Sequence, residues 1–169
     1  MKKRSAGVII LLRVYKNSLG KTFRDDFCCN YSGYVWQVMR EANLFIEGKV
    51  DVFGIECSVA DLLDDIDPTT KEKWPRKHYK EYWFHAGSAP GDVKFTWEYM
   101  KHNFLISLGK SYVLTKDEQY VITGKEFIEK WLAKTDDWIG VSWAGHVHIC
   151  QRMINWLSWL DLCKDSYLL

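Results

Sequence analysis

The sequence predicts an α+β fold, in which a small, largely antiparallel sheet has helices packed on it. Short β-branched and aromatic segments predict strands, and longer segments with apolar residues at every third or fourth position predict helices. These segments do not alternate regularly enough for a doubly wound parallel sheet. The 169 residues are expected to form a single globular domain, 1–169.

The amino terminus is expected to begin with a hairpin. Residues 5–15 form an apolar, β-branched run that predicts a strand, and the polar residues 17–20 predict a turn. Residues 22–28 would supply the second strand of this hairpin. The apolar run ends at Arg13 without a cleavage site, so a buried strand explains it better than a signal peptide does.

A helix and a short strand are expected next. Apolar residues at three- and four-residue spacing predict a helix over 34–45, and Gly48 stands where that helix would end. Residues 52–57 predict a short strand. Ser58, with an aspartate three residues later, then predicts the N-cap of a brief helix.

The middle of the chain contains the segment that is hardest to assign. Residues 74–85 are dense in aromatic and charged side chains, and either a strand or an extended loop is expected there. After a glycine- and proline-bearing loop at 87–91, Asp92 is expected to cap a helix from Val93 to about residue 108. Gly109 would end that helix.

The carboxyl-terminal part is expected to contain a hairpin and two helices. Residues 112–115 and 120–123 are β-branched and aromatic around a polar turn, which predicts a β-hairpin. Thr123 or Gly124 would cap the next helix. The last helix, within residues 143–162, is apolar over so wide an arc that it lies either deep in the core or against a partner.

Composition excludes several classes of protein. The chain carries 23 Lys and Arg against 22 Asp and Glu, a formal net charge of +1, and this balance disfavours binding to nucleic acid or to a membrane surface. No segment approaches the roughly 18 apolar residues of a membrane span. The five cysteines form no framework of disulfide spacings, which indicates reduced thiols and a cytoplasmic protein.

The first functional hypothesis is a protein-binding regulator, inhibitor or adaptor. It rests on the aromatic content, 15% of the residues with nine tryptophans, and on the lack of a complete catalytic motif. Trp143, Trp156 and Trp159 are the expected partner-binding residues. The partner would be another protein, or a second copy of the chain bound through the carboxyl-terminal helix.

The alternative hypothesis is a small enzyme or binder that acts on a nucleotide or phosphoester through residues 76–91. The residues proposed for this site are Arg76, His78, Lys80, Tyr82, Trp83 and His85. The histidines would be catalytic, as acid or base, the two basic residues would bind phosphate, and the two rings would stack on a base. The same mixture of residues is also typical of an exposed edge strand, so both interpretations stay open.

A metal site is not predicted, although one segment concentrates ligand types. On a strand, His146, His148 and Cys150 would share one face, whereas on a helix only His146 and Cys150 do. A helix is expected here. The sequence therefore predicts neither a metal ion nor another cofactor.

Overall fold

The computed structural model describes residues 21–82 and 89–169. Its helices pack on a small two-stranded antiparallel sheet, which confirms the predicted α+β class. The chain divides into two compact units, the first ending at Gln37 and the second beginning at Val38. The strand and turn predicted within residues 5–20 lie outside the described residues.

The described residues that precede the sheet are helical. Helix α1 spans Lys21–Asn30, and α2 spans Ser32–Ile46, which confirms the helix predicted from its apolar spacing. The strand predicted at 22–28 is wrong. The ring centroids of Phe27 and Tyr31 lie 5.0 Å apart, a contact between residues four positions apart that a helix allows and a strand does not.

The sheet is a hairpin in the place where a single strand was expected. Strand β1 spans Lys49–Val52 and β2 spans Ile55–Ser58, paired antiparallel. Phe53 and Gly54 form the turn, with φ angles of 54° and 84°, which are typical of a type I′ turn. The sequence pattern hides this turn because phenylalanine rarely occupies its first central position.

Helix α3 follows β2 directly and spans Val59–Leu63. The N-cap prediction is confirmed, because the Ser58 hydroxyl oxygen accepts the Ala60 N–H at 3.2 Å. Beyond α3, the buried Asp67 carboxylate accepts a hydrogen bond from the Thr96 hydroxyl at 3.0 Å. This hydrogen bond holds the segment after α3 against the next helix.

Two helices occupy the segment where one was predicted. Helix α4 spans Val93–Tyr99, and the Asp92 carboxylate accepts the Lys94 N–H at 2.9 Å, so the predicted cap is confirmed. Helix α5 begins only at Phe104 and ends at Thr115. Gly109 lies inside α5 and does not end a helix. A Cβ there would come within 2.9 Å of the Leu162 side chain, so the glycine allows this close packing.

The β-hairpin predicted over 112–123 is wrong. Helix α5 continues to Thr115, Lys116 adopts a left-handed φ of 60°, and α6 spans Gln119–Lys134. Tyr112 and Val121 are buried on these helices, so packing against neighbouring elements outweighs their β propensity. Thr123 and Gly124 consequently lie within α6 and do not cap it.

The last helix, α7, spans His146–Cys163 and packs on α5 and α6. Trp159 is the largest of its buried side chains, at 1% exposure. A Cβ at Gly124 of α6 would lie 2.8 Å from the Trp159 ring, so the backbone of α6 touches the indole directly. None of the helices described is long and apolar enough to cross a membrane.

Residues 74–82 form extended chain and one 3₁₀ turn, Tyr79–Glu81. A second 3₁₀ turn, Val141–Trp143, precedes α7. A single antiparallel bridge between His78 and Ile139 joins these two regions. This bridge brings together aromatic residues that are about sixty positions apart in the sequence.

Candidate functional site

Five rings meet at the surface where the two 3₁₀ turns approach each other. We call this group the aromatic surface cluster; its members are His78, Tyr79, Trp138, Trp143 and His146. The Tyr79 ring centroid lies 4.7 Å from that of His78, 5.8 Å from Trp138 and 6.3 Å from His146. Trp138 and Trp143 are 5.4 Å apart. These spacings are those of ordinary aromatic pairs.

Backbone hydrogen bonds hold the cluster together. The Tyr79 N–H donates to the Trp138 carbonyl at 2.9 Å, and the Gly140 N–H donates to the Lys77 carbonyl at 3.0 Å. The Arg76 guanidinium pairs with the Asp136 carboxylate beside this bridge. These main-chain hydrogen bonds therefore fix the backbones that carry Tyr79 and Trp138 next to each other.

Trp138 is the most unusual member of the cluster. Its side chain is 54% exposed, and its backbone φ is 66°, in the left-handed region. A bulky residue seldom adopts that conformation, which costs on the order of 1–3 kcal/mol. The fold keeps a large ring at the surface in a strained conformation, and such strain is commonest at functional sites.

Lysines border the cluster on one side. The Lys80 ammonium lies 5.8 Å from the Tyr79 ring centroid, and the Lys77 ammonium lies 4.8 Å from the ring of Tyr82. Both distances allow cation–π attraction. The half-buried Tyr79 ring of the cluster thus has positive charge next to it, and so does the buried ring of Tyr82 outside the cluster.

A buried arginine supports the cluster from below. The Arg152 guanidinium lies 4.5 Å from the ring centroid of Trp131 and 5.3 Å from that of Trp143. It donates to the carbonyl oxygens of Met100 at 3.3 Å and Ser142 at 3.4 Å. Burial lowers the pKa of Arg152 to about 10, so the side chain remains a cation at neutral pH.

His102 lies in the core beside this arginine. Its Nδ1 accepts a hydrogen bond from Trp156 Nε1–H at 3.0 Å, and its Nε2 has no hydrogen-bond partner among the described residues. Burial and the nearby Arg152 charge hold the pKa of His102 well below its usual value. The imidazole is therefore neutral and acts as a structural acceptor.

The predicted partner-binding residues differ in burial, and none of them is fully exposed. Trp143 belongs to the aromatic surface cluster. Trp156 is half-buried and its indole N–H is used by His102. Trp159 lies in the core between α5, α6 and α7. The three rings share no exposed face.

The residues of the nucleotide hypothesis also separate. Arg76 and Lys80 are exposed and His78 is half-buried, close to one another in the chain. Tyr82 is buried, its hydroxyl donates to the Pro75 carbonyl, and burial raises its pKa to about 12. The other two residues of that set, Trp83 and His85, lie outside the described residues.

The three potential metal ligands on α7 point to different surroundings. His146 contacts Tyr79, whereas His148 stacks on Trp97 with 4.9 Å between ring centroids. Cys150 is exposed. Across residues 21–82 and 89–169, no three His, Cys, Asp or Glu side chains are grouped so as to hold a metal ion.

Sequence patterns did not single out Trp138 or Arg152. Trp138 follows two aspartates in a polar connection, where nothing indicates that its ring meets Tyr79. Arg152 did carry a signal, because it is the single Lys or Arg between His146 and Asp161 in a helix that is otherwise largely apolar. A lone basic residue on the buried arc of such a helix indicates an internal cation with specific partners.

No protein-family model, curated protein or solved structure matches the chain.

Proposed function

We propose that the protein is an intracellular regulator, inhibitor or adaptor that binds another protein through the aromatic surface cluster. The observation that carries this proposal is Trp138, an exposed indole in a strained conformation with other rings around it. Tryptophan and tyrosine supply much of the binding energy in protein interfaces, and they do so from small groups of neighbouring residues.

Rigidity of the cluster also favours a binding role. The Tyr79–Trp138 backbone hydrogen bond, next to the bridge between His78 and Ile139, fixes the two backbones, so little loop freedom is left to lose on association. A surface that is ordered before binding gains more affinity from the same contact area. The cytoplasmic location belongs to the proposal as well, and the five free thiols support it.

The test compares two tryptophan substitutions of equal chemistry. Trp138→Ala removes the ring at the centre of the cluster, and Trp36→Ala removes a ring that is 65% exposed in the first unit. Tagged wild-type protein and both variants are recovered from the native host, and the proteins bound to each are quantified by mass spectrometry. We expect a stoichiometric partner with wild type and Trp36→Ala that is lost with Trp138→Ala. If the same partner is recovered in equal amounts with all three proteins, the aromatic surface cluster is not the binding site.

Nucleotide or phosphoester binding remains a second candidate, because Lys80 lies beside the half-buried Tyr79 ring. A stacked base with its phosphate on the ammonium would use both groups. The measurement is the thermal midpoint with and without mononucleotides and short single strands. A stabilisation that disappears in Lys80→Ala would favour this function, and the absence of any stabilisation would exclude these ligands.

A further inference from the structure

An apolar stripe runs along the solvent side of α7, away from the core. Its members are Val147, Cys150, Met153, Ile154, Leu157 and Leu160. The five members other than Cys150 are 44% to 72% exposed, and Cys150 is also exposed. The opposite side of the same helix is buried against the core through Arg152, Asn155 and Trp159. Helix α7 therefore has one face against the core and a second, apolar face that residues 21–82 and 89–169 leave exposed.

The spacing of the stripe fits a second helix. Val147, Cys150, Ile154 and Leu157 follow one another at intervals of three, four and three residues, the spacing at which two helices interlock their side chains. Ten residues of helix span about 15 Å. Because α7 is already folded on its own core, pairing does not have to meet the cost of helix nucleation.

We propose that a second copy of this chain covers the stripe, with the two α7 helices antiparallel about a two-fold axis. This interface goes beyond the proposed function, since it does not use Trp138 or Tyr79. The antiparallel register that pairs the stripe with itself places Val147 opposite Leu157 of the other copy, and Cys150 opposite Ile154. The face is self-complementary because each contact occurs twice.

The lack of charge on the stripe favours a second copy of the same stripe as its binding partner. From His146 to Leu160, Arg152 is the single residue with a permanent charge, and its side chain is buried. Two stripes therefore meet without repulsion between like charges. A charged partner helix would find no complementary group on the stripe.

The ends of α7 favour the antiparallel direction. The helix begins after Gly145 with neither a capping side chain nor an acidic residue in its first turn, and Asp161 lies just beyond the other end of the stripe. Asp161 forms an exposed ion pair with Lys164, at 3.3 Å. Antiparallel pairing places this carboxylate near the positive amino-terminal end of the other helix, whereas parallel pairing would bring the two Asp161–Lys164 pairs to the same end of the interface.

The size of the stripe indicates a reversible dimer. Stable complexes bury roughly 800 Å² on each partner, and a stripe one helix wide and about four turns long offers less than that. We therefore expect a monomer–dimer equilibrium with a dissociation constant on the order of micromolar. The dimer fraction rises with protein concentration.

Sedimentation velocity over a range of concentrations tests the interface with two matched substitutions. Leu157→Lys places a charge on the stripe, and Leu132→Lys places one on an equally exposed leucine of α6, at 64% and 53% exposure respectively. We expect Leu157→Lys to raise the dissociation constant at least about tenfold and Leu132→Lys to leave it unchanged. Circular dichroism confirms that both variants are folded.

Disulfide trapping tests the direction of pairing. In a background with Cys28→Ser and Cys29→Ser, Ile154→Cys should give a link between residues 150 and 154 of different copies, identified by peptide mapping. A link between Cys150 and Cys150 would overturn the antiparallel arrangement. A wild-type chain that stays monomeric at every concentration, or a dimer unaffected by Leu157→Lys, would overturn the interface itself. Neither result bears on Trp138→Ala, so the two proposals fail separately.

Discussion

Replacing Gly124 with alanine tests the packing of α5, α6 and α7 most sharply. The added Cβ would lie 2.8 Å from three atoms of the Trp159 indole. A Cβ built at Gly109 of α5 would also lie 3.3 Å from the same indole. The Trp159 ring is therefore close to the backbone of both α5 and α6 at positions that carry no side chain.

The expected free-energy change combines two opposing effects. Overpacking a well-filled core costs about 1–3 kcal/mol, and alanine in place of glycine within a helix gains about 1 kcal/mol. Because the added Cβ would meet three indole atoms closer than 3.0 Å and the ring is fully buried, we expect the upper part of the overpacking range. The unfolding free energy of the Gly124→Ala variant should thus be about 1–2 kcal/mol lower than that of wild type. Each kcal/mol corresponds to a fall of about 2–4 °C in thermal midpoint for a chain of this size.

Urea unfolding followed by circular dichroism measures this change. Gly33→Ala is the control, since a Cβ at that position of α2 would meet no atom within 4 Å. We expect Gly33→Ala to be neutral or slightly stabilising. In a Trp159→Phe background the cost of Gly124→Ala should shrink, because the nearest indole atoms are gone. A Gly124→Ala protein as stable as wild type would refute the close packing of α6 on α7.

Three further predictions concern the buried polar groups and the core. The pKa of His102 is lower in the folded than in the unfolded state, so its contribution to stability is complete above about pH 6.5 and is lost as the pH falls below that value. Between pH 6.5 and 5 the unfolding free energy should therefore fall by up to about 1.4 kcal/mol per pH unit. The fall should be less steep in His102→Asn. Arg152→Met leaves the carbonyl oxygens of Met100 and Ser142 without their hydrogen-bond donor, which costs about 1–3 kcal/mol for each. Removing the buried charge offsets part of this cost. Urea unfolding should show a net loss of about 2 kcal/mol in unfolding free energy. Trp159→Ala should cost about 3–5 kcal/mol in the same assay, and a loss below 1 kcal/mol would contradict its place in the core.

Local signals in the sequence were sufficient for several elements. The caps at Ser58 and Asp92 depend on hydrogen bonds within three residues, and both were predicted correctly. The apolar spacing of α2 likewise belongs to one helix and needs no other part of the chain. Each of these predictions uses contacts that the neighbouring sequence determines.

Long-range packing decided the elements that were predicted wrongly. Residues 112–123 have the composition of a hairpin, but their buried side chains pack between helices from distant parts of the chain. The sequence pattern predicts a helix end at Gly109. In the structure this glycine lies inside α5, where the missing Cβ allows the Leu162 side chain to pack closely. The same reason explains the aromatic surface cluster, because the bridge that brings Tyr79 to Trp138 joins two segments that share no local pattern.

The central claim is that Trp138 lies within an interface with another protein. Hydroxyl-radical footprinting of the purified complex, compared with the free chain, measures this most directly because it reports solvent access to each indole. We predict that oxidation of Trp138 slows in the complex while oxidation of Trp36 does not change. If Trp138 reacts at the same rate in both samples while another surface becomes protected, the aromatic surface cluster is not the binding site.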